Sequence, residues 1–208
     1  MKNKELAKKL KLLIFIFLVH FAINRLSGYF VSQIVDIDEL FPVSIDENDI
    51  VNDIFFIFLF FGILIPTIEE ISFRLWINRS FKFVLTSTVI LLAYSLITSS
   101  NYVIISLTVC FFVGHVLVWK YFGENKIIQN LVLIFHALLF AGIHLENYQV
   151  NDLINYYYCI PALILPQFVL GIIAFYLATK YGFKYSLIYH IAYNSILIIE
   201  EYLILVNA

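Results

Sequence analysis

Glu69 and Glu70 stand side by side in Pro66-Thr-Ile-Glu-Glu-Ile-Ser-Phe-Arg74, directly after the nearly unbroken apolar run from Ile54 to Ile65. An ionisable group at membrane depth costs roughly 2.5–3.5 kcal/mol on insertion scales, so it is read as functional and its partner is sought. On a helix Glu70 and Arg74 are four apart, share a face and can pair. Glu69 is rotated about 100° from Glu70 and has no cation at helical spacing. The spacing predicts a division of labour, with Glu70 held by Arg74 and Glu69 turned to a cavity to handle protons. The competing reading is a cytoplasmic helix end carrying solvated charges.

Two histidines have surroundings that suit the same chemistry. Phe140-Ala-Gly-Ile-His144 places a ring one turn before an imidazole, and Gly142 thins the helix for close approach by another helix or a substrate backbone. His190-Ile-Ala-Tyr-Asn194 puts an imidazole and a carboxamide on one face. Each spacing alone is weak. Peptide hydrolysis needs a base for water, donors for the oxyanion and an acid for the leaving amine. Glu69 could be base and then acid, His144 could hold the water, and His190 and Asn194 could donate to the oxyanion. His20, His115 and His136 lack acidic neighbours at helical spacing and read as core histidines bonded to adjacent helices. Ser72, Cys110 and Cys159 have no base near them in the chain, which disfavours a serine or cysteine mechanism. A zinc mechanism is harder to exclude, because His144, His190 and a glutamate could form a three-ligand site, although H-E-x-x-H is absent.

The elements that must position these groups are membrane helices. The 208 residues are 62% hydrophobic and only 13% charged, with mean hydropathy +0.91, which excludes an ordinary soluble domain. The long apolar runs suit helices rather than barrel strands. No basic stripe suggests nucleic acid. Cys110 and Cys159 sit in apolar runs without disulfide or metal spacing and read as small core residues. The fold expected is all-α, a polytopic transmembrane bundle of about seven spans (six to eight), forming one domain over 1–208 with its motif core at about 54–206.

The spans are expected at about 12–31, from 54 into the Glu-Glu motif, 83–97, 102–119, 127–144, 156–179 and 185–206. Residues 36–53 carry seven carboxylates and no Lys or Arg and read as an outside loop. The first span, led by Lys2, Lys4, Lys8, Lys9 and Lys11, is read as uncleaved and the N-terminus as cytoplasmic. Every Lys and Arg except Arg25 then falls on the inner side or its edge. Ile, Asn and Lys usage suggests an AT-rich genome and a bacterial plasma membrane. Straight spans conflict with a shared site. With about 1.5 Å rise per residue, Glu69 and His190 fall in the inner half and His144 near the outer surface. Spans two and five must be broken, tilted or extended for the groups to meet.

Taken together, Glu-Glu-x-x-x-Arg, Phe-x-x-x-His and His-x-x-x-Asn, in this order on three spans, resemble the CPBP (CAAX protease and bacteriocin-processing, Abi) family, which includes the type II CAAX prenyl endopeptidases. Gln167-x-x-x-Gly171, Lys180-Tyr181-Gly182 and Ser186-Leu187 look like the segment preceding the family's last motif. The resemblance covers about 66–78, 138–144 and 167–195. It implies a membrane-embedded, metal-independent endopeptidase with Glu69, Glu70, His144, His190 and Asn194 as site residues, supported by Arg74 and Phe140. The implied substrate is a peptide or membrane-anchored protein, in bacteriocin or signalling-peptide maturation or in immunity. Leu75 stands where the family commonly has Gly. The step of 74 residues from Glu70 to His144 exceeds the family's usual spacing, so spans three and four read as an inserted hairpin. Two other classes compete, a non-enzymatic immunity or scaffold protein and a small proton-coupled transporter, the latter without matched repeats.

Overall fold

A computed structural model describes residues 2–35, 53–78, 80–98, 102–122, 124–148 and 150–207. The acidic loop up to 52, the turn at 99–101 and Arg79 lie outside them. The described residues are almost all helical, joined by short turns, with no strand among them. Helices α1 (Lys2–Ser32), α4 (Phe81–Thr98), α5 (Tyr102–Phe122), α6 (Lys126–Ile143), α8 (Ile160–Lys180) and α9 (Phe183–Asn207) occupy the predicted apolar runs. Among the described residues five stretches are long and apolar enough to cross a membrane: Leu10–Ser32, Ile54–Ile77, Lys126–Ile143, Tyr157–Lys180 and Phe183–Asn207. The hairpin helices contribute two shorter apolar runs, Phe81–Ala93 and Thr108–Tyr121. Lipid offers backbone groups no partner, so helices that bond internally are the available solution. Phe15, Leu26, Phe55, Ile127, Ile188 and Leu203 are all exposed. An apolar exterior of this kind is what a lipid solvent requires.

The second stretch is not one regular helix. It runs as α2 (Ile54–Ile57), a π-helical segment (Phe58–Leu64), α3 (Ile65–Arg74) and a 3-10 turn (Leu75–Asn78). Pro66 supplies the cause. It lacks an N–H, and its ring would strike the carbonyl four residues back in an α-helix. The wider π turn relieves that clash. At Ile65 the N–H reaches back five residues to the Phe60 carbonyl.

Helix α8 is central and packs on α6, α1 and α9. Gly171 sets the closest approach, since a Cβ there would lie 2.9 Å from Ala137 Cα. Gly142, expected to serve close approach, has nothing within 4 Å of an added Cβ. The hairpin is no appendage: α4 packs on α3 and α5 on α6. Phe112 and Trp119 from α5 meet Trp76 edge-on at 6.0 and 6.1 Å. Of the two cysteines expected in the core, Cys159 is buried against Val31 and Val35, whereas Cys110 is exposed.

The conflict over depth is resolved by where α6 sits. It stops at Ile143, and a 3-10 turn (His144–Asn147), short α7 (Val150–Asn155) and another 3-10 turn (Tyr157–Cys159) lead into α8. Trp76 meets His136 at 5.7 Å, Phe73 meets Phe140 at 5.4 Å, and Glu69 comes within 3.7 Å of His144. These are successive rungs of one antiparallel seam. Helix α6 is therefore shifted along its axis, and its end arrives level with Glu69.

The packing of α8 predicts a contrast between two glycines. Gly171→Ala should lower stability in detergent by about 1–3 kcal/mol through overpacking, and Gly142→Ala should leave it unchanged or slightly raised. Thermal unfolding of both variants checks this; equal behaviour would reject the close α6–α8 contact.

Candidate active site

The site begins with a buried ion pair. Arg74 Nη1 lies 3.0 Å from Glu70 Oε1, and neither side chain has any exposure. A buried guanidinium needs a counter-charge, because one left unpaired is costly, so Glu70 is ionised. Helix α9 supplies two further donors to it: His190 Nδ1 donates to Oε1 at 2.9 Å, and the Ser186 hydroxyl donates to Oε2. Phe140 backs the pair from α6, with the Arg74 guanidinium carbon 4.2 Å from its ring centroid, a cation–π geometry. The same ring meets His144 at 4.8 Å and His190 at 6.0 Å, both edge-on.

Glu69 occupies the adjacent space. Its Oε1 lies 3.7 Å from His144 Nε2 and its Oε2 lies 3.5 Å from His190 Nε2. Three helix segments thus converge on one carboxylate. Local structure fixes which ring nitrogen each histidine turns to it. The N–H of His144 turns to the carbonyls of Ala141 and Gly142 as α6 ends, and the Phe140 carbonyl accepts the His144 ring Nδ1–H at 2.7 Å. His190 commits its Nδ1–H to Glu70. In a neutral imidazole, which has one N–H and one lone pair, these bonds make Nε2 of each ring the acceptor turned to Glu69. In that state the two Glu69 oxygens and the two Nε2 atoms would face one another as acceptors, a geometry suited to a bridging water O–H. The His144 side chain is 17% exposed against 5% for Glu69 and 1% for His190, so His144 is the most accessible of the three. Among the described residues no group of three or more His, Cys, Asp and Glu side chains is arranged to hold a metal ion.

Of the predicted site residues, Glu69, Glu70, His144 and His190 meet, with Arg74 and Phe140 around them. Asn194 is placed otherwise. Its Nδ2 donates to the Phe61 carbonyl in the π segment at 3.5 Å. Ser186 was not foreseen as a site residue, though it lies one turn before His190 on the same face, the spacing that marked the other pairs. His20 behaves as expected, with Nε2 donating to the Pro166 carbonyl at 3.0 Å and Nδ1 accepting from the Tyr189 hydroxyl at 3.1 Å. His136 does not: it is fully buried among Phe73, Trp76 and Phe175, and neither ring nitrogen has a hydrogen-bond partner among the described residues. Aromatic packing took the place of the expected bond.

No family model, curated protein or solved structure matches this chain.

The ion pair makes a testable demand. Glu70→Gln leaves Arg74 buried without a counter-charge and should cost about 3–5 kcal/mol, seen as a lower melting temperature in detergent. Adding Arg74→Met should restore much of that loss. Glu69→Gln should leave the melting temperature near the native value.

Proposed function

We propose that the chain is an intramembrane, glutamate-dependent endopeptidase of the CPBP type, hydrolysing a bond of a peptide or membrane-anchored protein. The observation that carries this reading is a single buried carboxylate, Glu69, lying within 3.5 and 3.7 Å of two imidazole Nε2 atoms whose opposite nitrogens are already committed. That arrangement suits a water molecule. One O–H is given to Glu69 and the other to His144 Nε2, which leaves an oxygen lone pair directed outward. Glu69 takes the proton as the water oxygen bonds to the scissile carbonyl carbon. When the tetrahedral intermediate collapses, the C–N bond breaks and Glu69 passes the proton to the departing amine nitrogen. Glu70 stays ionised throughout, holding His190 and neutralising Arg74. The order and spacing of the three motifs add the family resemblance to this chemical argument. Maturation of a bacteriocin or signalling peptide in a bacterial plasma membrane, or immunity to one, fits the resemblance and the residue usage. The basic N-terminal tail is read as facing the cytoplasm.

General acid–base catalysis contributes about 10²–10⁴-fold. Glu69→Gln and His144→Ala should each reduce cleavage of a membrane peptide by at least that lower bound, measured in proteoliposomes by mass spectrometry of the products. Wild-type processing by both variants would overturn the peptidase reading.

A further inference from the structure

We infer that Asn194 is a positioning residue, which clamps the backbone carbonyl that Pro66 leaves without a donor and so sets the register of α9 against Glu69. The argument starts with the hydrogen-bond inventory of the π segment. The Phe61 carbonyl has two candidate donors along its own helix, Ile65 in α register and residue 66 in π register. Ile65 gives its N–H to Phe60, and residue 66 is proline, which has none. A backbone acceptor without a partner in an apolar setting is costly. The Asn194 amide supplies the missing donor, at 3.5 Å.

The neighbouring residues are built for the same contact. Gly62, next to Phe61, is buried, and a Cβ there would come within 3.1 Å of Ser195 Oγ and 3.6 Å of Ser195 Cα. Only a residue without a side chain lets α9 come so close to the π segment at this level. Thr67 Oγ1 donates to the Ile63 carbonyl at 2.6 Å, so a second carbonyl of the broken region is also held by a side chain.

The consequence falls on the site one turn away. Asn194 and His190 share a face of α9. His190 grips Glu70 and faces Glu69, while Asn194 grips the backbone of the same broken helix. Two points of attachment one turn apart fix both the slide and the rotation of α9 against the carboxylates. The spacing His-x-x-x-Asn and the proline three residues before Glu69 then have one explanation, a matched clamp. Asn194 in this role does not touch the reacting atoms.

The test exploits the proline. Pro66→Ala restores an N–H that can serve the Phe61 carbonyl and makes the clamp redundant. In the native Pro66 background, Asn194→Ala should lower kcat by about 10²-fold, the scale of a misplacement near 1 Å. In the Pro66→Ala background the same change should cost at most a few-fold. A group donating to the oxyanion would lose the same factor in both, and that result would overturn the inference. The activity arm rests on the peptidase reading. A second arm does not: carbonyl ¹³C labelling of Phe with ¹⁵N-Gly selects the Phe61–Gly62 and Phe122–Gly123 bonds for solid-state NMR in lipid. Asn194→Leu, which keeps much of the volume and removes the donor without adding a charge, should shift the Phe61 carbonyl signal and leave that of Phe122 in place, and in the Pro66→Ala background it should shift neither. An unmoved Phe61 signal in the native background would reject the clamp, whether or not the protein cleaves anything.

Discussion

Everything at the centre of this protein answers to one constraint, that a guanidinium with no exposure must be neutralised where water cannot do it. Arg74 is met by Glu70, and Glu70 in turn collects Ser186 and His190 from α9. This commits one of two chemically identical neighbours to structure. The other carboxylate, rotated about 100° around the helix, is turned to the paired imidazoles instead. Adjacent residues of the same type thus acquire different roles from helix geometry and from the placement of one cation.

The pair also explains the aromatic mass beneath it. Arg74 lies over Phe140, and the next turn places Trp76 among Phe112, Trp119, His136 and Phe175. Large rings fill the space around a charged group that cannot be hydrated, and their edges are compatible with its field. The hairpin α4–α5 supplies two of these rings. The stretch between the first two motifs is therefore part of the aromatic wall around Trp76, beside the Arg74–Glu70 pair. The seam of Trp76, Phe73 and Glu69 against His136, Phe140 and His144 then carries the shift of α6 up to the site.

Irregular backbone is concentrated where the site is. The π segment precedes the glutamates, the 3-10 turn at His144 ends α6, and both free carbonyls that side chains then occupy. Phe140 gives its carbonyl to the His144 ring, and Phe61 gives its carbonyl to Asn194. Within a membrane such breaks persist where other protein groups satisfy the backbone. Here the groups that satisfy it are side chains of the site motifs themselves.

The all-α character, the apolar exterior and the helix positions follow from residue types alone, because lipid leaves a chain this hydrophobic little choice of backbone structure. The Glu70–Arg74 pair was equally readable, since both partners sit on one helix at a fixed spacing. Glu69, His144 and His190 could likewise be picked out from residue type and spacing as candidates for one site. What the chain order could not give was the slide of one helix along another. Straight spans of equal depth separate Glu69 from His144, and only the packed seam of rings between α3 and α6 decides that they meet. The partner of Asn194 was hidden for the same reason: spacing along α9 puts it on the face of His190, but the orphaned carbonyl it reaches exists only once Pro66 has widened the helix opposite. Periodicity fixes what shares a face, whereas side-chain volume and unsatisfied backbone groups on other helices fix what that face touches.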